Sequence, residues 1–232
     1  MRKQRPRGSL TRERVVDAAL AVVDEVGLDA LTLRAVARSA EAPPMSLYVH
    51  FGNKSELLDF MYGEVARRLY ADGGHPTWQE EFVSLCRQVR RILLEHPRWA
   101  PLLSRPAARP VHVPSRERVL ELLTREGVPV GEAFDAFSNA CLVSLGLTLV
   151  ELNLRDSEGN SSLATRFDRL KHWSEQPSSV RAEPLTREAL SGSGAFDFTH
   201  NFEAAIRAFI AGVGAGRSPG LRLLSAPEHC RR

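Results

Sequence analysis

Residues 32–58, TLRAVARSAEAPPMSLYVHFGNKSELL, leave the backbone few choices beyond two short helices, a tight break between them and the capped start of a third. Leu33, Val36 and Ala37 keep helical spacing as far as Glu41-Ala42-Pro43-Pro44. There the two prolines, which cannot continue a helix but can open one, force a new start. Thr32 is placed to cap the first helix, with Leu31 and Val36 as its hydrophobic staple. The second helix, Met45 to His50, carries Ser46, Tyr48 and His50, which can hydrogen-bond to phosphates or bases, around apolar Leu47 and Phe51. It reads as a recognition helix. Asn53 and Glu56 form an Asn-type capping box for the third helix, with Lys54 in its first turn.

The rest of the chain also reads as helical. The spacing predicts a helix over 12–26, capped by Thr11, stapled by Leu10 and Val15 and stopped at Gly27. Its Val15, Val16, Ala19, Val22, Val23 and Val26 fall on one face, against which a three-helix unit can close. After Asn53, the stripe Leu57, Leu58, Met61, Val65 and Leu69 runs up to a break at 72–76, so this helix links two domains. Phe82, Leu85, Cys86, Val89, Ile92 and Leu93 predict a helix over 78–95, ended by Pro97. A short segment at 99–103, a proline-rich irregular stretch at 104–114 and a helix at 116–126 follow. The next helix, 131–154, is apolar nearly all round and must be covered on more than one side. Residues 155–194 are polar and read as a mobile flap, with helix only around 163–173 and 186–190. The last periodic element, 202–213, ends at Gly214-Ala215-Gly216, glycines that read as a C-terminal cap because a helix precedes them and a tail follows.

Composition excludes several classes. At 232 residues, 43% hydrophobic and 25% charged, the chain can bury a full core and is neither disordered nor collagen-like. The net charge of +3 is concentrated at the start, in Arg2, Lys3, Arg5, Arg7, Arg12 and Arg14 against Glu13. Such an arm can follow a phosphate backbone, or be a solvated tail. Cys86, Cys141 and Cys230 are widely spaced and suggest neither a disulfide framework nor a zinc site. The charged N-terminus lacks the apolar core of a signal peptide, and the uncharged run at 136–150 is shorter than the roughly twenty residues a membrane span needs. A cytoplasmic protein with no membrane partner is expected. HExxH, Gly-x-Ser-x-Gly and Walker patterns are absent, so no enzyme, metal or cofactor is expected.

Leu31-Thr32-Leu33-Arg34, Leu47-Tyr48-Val49-His50-Phe51 and Asn53-Lys54-Ser55-Glu56-Leu57-Leu58, in this order, resemble the DNA-binding domain of TetR-type repressors. More loosely, Leu93-Leu94-Glu95-His96-Pro97, Ala133-Phe134 to Gly146 and Phe198 to Gly212 resemble the C-terminal half of the tetracycline-repressor class. The resemblance implies an all-α homodimer with a disordered basic arm at 1–9 and a three-helix helix-turn-helix DNA-binding domain at 10–58. A larger helical effector-binding and dimerisation domain would occupy 59–217, and a flexible tail 218–232. Thr32, Ser46, Tyr48, His50 and Lys54 match positions that touch phosphate or frame the recognition helix, and Arg34, Pro44, Met45 and Val49 match positions near base edges. Arg34 can bind guanine in bidentate fashion, and Lys54 adds its charge to a helix N-terminus that already favours phosphate. Pro44, Met45 and Val49 would read thymine methyls or DNA shape. Tyr48 could instead pack as a core aromatic, and His50 could simply satisfy a local hydrogen bond.

For the effector, Phe60, Cys86, Val89, His96 and Trp99 lie on helices that should surround a bundle cavity, as do Phe137, Asn139, Cys141, Ser144 and Leu147 on the long apolar helix. Many of these could equally be plain core. Asn139 and Ser144 are singled out because polar groups inside an apolar run must find a partner. His96 matches a histidine that helps hold magnesium-bound tetracycline in the resembled class, but Leu142 and Val150 stand where a histidine and an acid would be needed. A more apolar effector follows. Leu142, Leu145 and Leu149, with Phe202, Ile206 and Phe209, are expected at the dimer interface. The function implied is that of a one-component regulator, a repressor that binds a palindromic operator in double-stranded DNA as a dimer and is released by a small molecule. An effector-independent architectural DNA-binding protein and a helical enzyme are the alternatives.

Overall fold

The computed structural model describes residues 10–71, 73–105, 113–155 and 197–215. They form nine α-helices: α1 (Arg12–Val26), α2 (Leu33–Ser39), α3 (Pro44–Tyr48), α4 (Lys54–Leu69), α5 (Trp78–Glu95), α6 (Ala100–Leu103), α7 (Pro114–Arg125), α8 (Val130–Leu154) and α9 (Phe198–Ala215). A 3-10 turn, Pro97–Trp99, leads into α6. No strand occurs among the described residues, and the chain is all-α. Packing divides it into two compact units, Met1–Val128 and Pro129–Arg232. The basic arm at 1–9, the helices expected at 163–173 and 186–190, most of the proline-rich stretch and the tail at 218–232 lie outside the described residues.

Local chemistry sets the helix starts of the first unit. Thr11 Oγ1 accepts the Arg14 N–H at 3.3 Å, Thr32 Oγ1 the Ala35 N–H at 3.1 Å and Asn53 Oδ1 the Glu56 N–H at 2.9 Å. Each satisfies a donor that the first turn of a helix leaves open. The Glu56 carboxylate reaches back to accept the N–H of Gly52 at 2.8 Å, one residue before the cap. At the other end of α1, Gly27 adopts φ 83°, a conformation that glycine reaches without steric cost. The head core is Val15, Ala19 and Val23 of α1, Val36 and Ala37 of α2, Leu47 of α3, Phe51, and Leu57 of α4, all essentially without solvent contact. The α4 stripe continues through Met61, Val65 and Leu69, so one helix serves the head and the helices beyond it. Within the same unit the buried Glu81 of α5 accepts the N–H groups of Gly73 and His75 at 2.8 and 3.0 Å, which fixes the turn before α5.

In the second unit α9 packs on α8. One face of α8 buries Ala133, Ala136, Phe137, Ala140, Ser144, Thr148 and Glu151, while Leu142 lies on the opposite side and is 66% exposed. The buried hydroxyls are satisfied by their own helix, Ser144 Oγ donating to the Cys141 carbonyl at 3.1 Å and Thr148 Oγ1 to the Ser144 carbonyl at 2.7 Å. Glu151 is paired with Arg155. With 25 residues, α8 is longer than the uncharged run inside it, and by length and composition alone it could cross a membrane. Four helices, α3, α7, α8 and α9, begin earlier than periodicity indicates. Pro114 opens α7 and Pro44 opens α3, both at positions where a missing N–H costs nothing. The Asp197 carboxylate accepts the Thr199 N–H at 2.8 Å at the start of α9.

Candidate nucleic-acid interface and effector site

At five residues, α3 is too short to be stable alone, and its N-cap Pro43 makes no side-chain hydrogen bond. Tertiary contact must therefore hold it. Leu47 and Phe51 supply the inward anchors, and the outer face then presents Met45, Tyr48 and Val49 at 75%, 51% and 81% exposure. That exposure removes the alternative of Tyr48 as a core aromatic. Pro44 is exposed beside them, and Ser46 and His50 are half-buried. Thr32 and Arg34 are exposed at the N-terminal end of α2, and Lys54 is half-buried at the first position of α4. The turn between α2 and α3 places Glu41 at φ 53°, the left-handed region that disfavours side chains.

A contact that sequence reasoning missed joins α1 to the end of the recognition element. Arg12 Nε donates to the His50 carbonyl at 3.2 Å, and the guanidinium lies 5.1 Å from the centre of the Phe60 ring. Phe60 in turn meets Phe51 edge-on, with ring centres 5.4 Å apart and planes at 75°. Arg12 and His50 are 38 residues apart, so no local pattern signals the pair. Phe60, expected to line the effector cavity, is instead occupied in the head. The Glu13 carboxyl is held below its ordinary value by a backbone N–H and the Thr11 hydroxyl, with the neighbouring Arg12 charge adding to the effect.

Of the other effector candidates in the first unit, Cys86 and Val89 are fully buried. Trp99 is buried too, and its indole Nε1 meets no acceptor among the described residues. His96 stacks on Trp99 at 3.9 Å with planes 5° apart, and its Nδ1 lies 2.9 Å from Asp24 Oδ2 of α1. Arg98 donates to the carbonyls of Asp24 and Glu25 at the end of the same helix. Arg68 holds Asp17 at 2.5 Å and Glu64 at 2.7 Å, and sits 5.5 Å from the Trp99 ring centre. An open cleft of about 350 Å³ borders this cluster, but its arginines are already matched by Asp17, Glu64 and Glu95. It is no vacant anion site.

In the second unit Phe137 and Ser144 are buried and Cys141 and Leu147 half-buried. Asn139 is exposed, against the expectation that it needs a buried partner, because it falls on the same side of α8 as Leu142. Ser144 finds its acceptor in its own helix, so its burial does not call for a ligand. Leu142 and Val150, where the resemblance would need a histidine and an acid, are both exposed. Among the expected interface residues Leu142 is exposed, and Leu145, Leu149 and Phe209 are half-buried. Phe202 and Ile206, also expected there, are buried inside the single chain, where α9 packs on α8.

Comparison with known proteins gives two family matches, to the bacterial regulatory proteins of the tetR family over residues 15–61 and to the tetracyclin repressor-like C-terminal domain over residues 71–216. The chain is 31% identical over 210 residues to the class D tetracycline repressor protein of Escherichia coli, covering 86% of this chain and 89% of that protein. It is 28% identical over 226 residues to an HTH-type transcriptional regulator of Saccharopolyspora erythraea, covering 92% and 89%. The crystal structure of ActR, a TetR family protein of Streptomyces coelicolor in complex with actinorhodin, matches with a TM-score of 0.71 and 25% identity, over 92% of this chain and all of that one, at 100%.

Proposed function

The chain belongs to the TetR family of bacterial transcriptional regulators, and from that premise we propose that it is a cytoplasmic repressor, binding a palindromic operator as a homodimer and released by a small, fairly apolar effector. The members it resembles are DNA-binding regulators rather than enzymes. The observation that carries the operator reading is the outward face of α3, where Met45, Tyr48 and Val49 are exposed on a helix anchored by Leu47 and Phe51. Large apolar side chains on the surface of a short helix are unexplained by the fold of the head but suit contact with thymine methyls in a major groove. Arg34 reads a base edge in this account, with Pro44 beside it, and Thr32, Ser46, Tyr48, His50 and Lys54 hold phosphates.

The effector reading rests on the relatives and on what the chain lacks. ActR binds actinorhodin, and the class D relative is a tetracycline repressor. Here Leu142 and Val150 cannot act as metal-binding groups. Effector contact in the first unit is assigned to Cys86, Val89 and Trp99, whose buried indole N–H would meet a carbonyl or hydroxyl of the ligand. Dimerisation is assigned to the outer side of α8, Leu142, Leu145 and Leu149, with Phe209 of α9. An effector that favours a conformation with the wrong head separation weakens operator binding by the same coupling free energy, typically about 1–3 kcal/mol.

The test is a genome-wide selection of fragments bound by the purified protein, repeated with Arg34→Ala and Lys54→Ala at fixed salt. Enrichment of one short palindrome is expected, with preference at one position of each half-site relaxed in Arg34→Ala and binding weakened without change of preference in Lys54→Ala. Binding indifferent to sequence would leave an architectural protein as the better account.

A further inference from the structure

We infer that Arg12, the first residue of α1, is a positioning residue that sets the orientation of the recognition helix, acting through the His50 carbonyl and the Phe60 ring rather than through a phosphate. This rests on the operator reading above. A helix of five residues has no orientation of its own, and α3 has no capping side chain at its start. Leu47 and Phe51 fix how deeply it sits and α3 packs on α2, but apolar packing is non-directional and sets its tilt only loosely. A directional bond to the His50 carbonyl, just beyond the C-terminal end of α3, removes that freedom.

The guanidinium is suited to the task. Its Nε–H donates to His50 while the guanidinium carbon sits over the Phe60 ring, and Phe60 is itself set edge-on against Phe51. The chain of contact thus runs from α1 to α4, to Phe51, and back to His50, two residues beyond α3. A lysine would keep the charge but lose the guanidinium's broad contact over the ring and its fixed donor direction.

The experiment uses the full chain, an operator selected by the wild type, and an unrelated duplex of equal length. Arg12→Ala, Arg12→Lys and Phe60→Leu are compared with the wild type for affinity to both duplexes over a range of salt, with thermal unfolding to confirm that each variant is folded. Positioning predicts that Arg12→Ala and Arg12→Lys both lose about tenfold in operator affinity, that the unrelated duplex is bound as before, and that the salt slope is unchanged. Phe60→Leu should lose affinity in the same selective way, to a smaller degree. Rescue by Arg12→Lys, with a salt slope reduced by about one in Arg12→Ala and equal losses on both duplexes, would make Arg12 a phosphate contact and overturn the inference. Unchanged operator affinity in folded Arg12→Ala would overturn it as well. A wild type that selects no sequence sinks the operator reading and this inference with it, whereas a selective wild type with indifferent variants sinks this inference alone.

Discussion

His96 Nδ1 lies 2.9 Å from Asp24 Oδ2, so the residue that ends α5 is tied to the last turn of the helix that opens the DNA-binding head. Arg98, two residues on, donates to the main-chain carbonyls at the same end of α1. Arg98 thus satisfies carbonyls that the C-terminus of α1 leaves open, from the 3-10 turn rather than from a local cap, while His96 holds the Asp24 carboxylate beside them. Displacement of that turn must therefore strain α1. A double-mutant cycle with Asp24→Asn and His96→Ala, read by urea unfolding, should give a coupling of about 0.5–1 kcal/mol, the scale for a pair that is about one-third exposed. Additive effects would mean that the pair is incidental.

Glu41 holds φ 53° in the turn between α2 and α3 and is exposed. The left-handed conformation costs a residue with a side chain about 1–2 kcal/mol, of which glycine returns part as unfolded-state entropy. Glu41→Gly should therefore stabilise the protein by about 0.5–1 kcal/mol and raise its unfolding temperature. It also removes a negative charge from the turn before the recognition helix, so DNA affinity should not fall. A lower unfolding temperature would show that the Glu41 side chain makes a contact worth more than its strain.

These features differ in how visible they are in the sequence. The bounds of α1 and α5 follow from local signals: Thr11 and Gly27 around one valine-rich face, and a hydrophobic stripe from Phe82 to Leu93. The shortness of α3 is less legible, because 45–50 has helical composition while only tertiary contact decides where a five-residue helix stops. Arg12 on His50, and Phe60 turned into the head, are contacts between residues far apart in the chain and leave no pattern. Phe202 shows another limit, since a periodic apolar stripe gives the same signal whether its cover is the next helix of the same chain or a second subunit. Asn139 was placed inside by its apolar neighbours, although α8 turns it to the side of Leu142.

The Glu64 carboxyl lies below its ordinary value of 4.5 mainly because Arg67 hydrogen-bonds to it, with Arg68 adding to the effect against a partial burial penalty. A carboxyl whose value is lower in the folded state contributes stability above its unfolded value and loses that contribution as pH falls through the folded one. Glu64→Gln should thus cost about 0.5 kcal/mol at neutral pH, a figure reduced for solvent screening. The difference from wild type should close well below pH 4.5. A gap that persists there would point to lost packing instead.

Leu142 and Phe202 should respond oppositely to disruption. Leu142 is 66% exposed on α8 with Leu145 and Leu149 on the same side, so Leu142→Glu combined with Leu149→Glu should yield folded monomers in light scattering. Phe202 is buried within the chain, and Phe202→Ala should lower stability by about 3–5 kcal/mol, so that its effect is unfolding rather than clean dissociation. A stable dimer of the double glutamate variant would remove α8 from the interface.

Arg34 and Lys54 stand at the N-terminal ends of α2 and α4, yet different chemistry is expected of them. An arginine fork on a guanine edge discriminates among bases, so Arg34→Ala should cost about 1–3 kcal/mol on the selected operator and relax preference at one position of each half-site. Lys54 is half-buried at the first position of α4, where the open N–H groups of the first turn and the helix dipole already favour a phosphate. Lys54→Ala should therefore weaken binding to all duplexes alike and reduce the salt slope by about one per protomer, leaving the preferred sequence intact. The two are separated by measuring affinity against a panel of single-base operator variants at several salt concentrations. If Arg34→Ala weakens every duplex equally, the base-edge assignment belongs instead to the exposed apolar face of α3, and specificity rests on methyl contact and DNA shape.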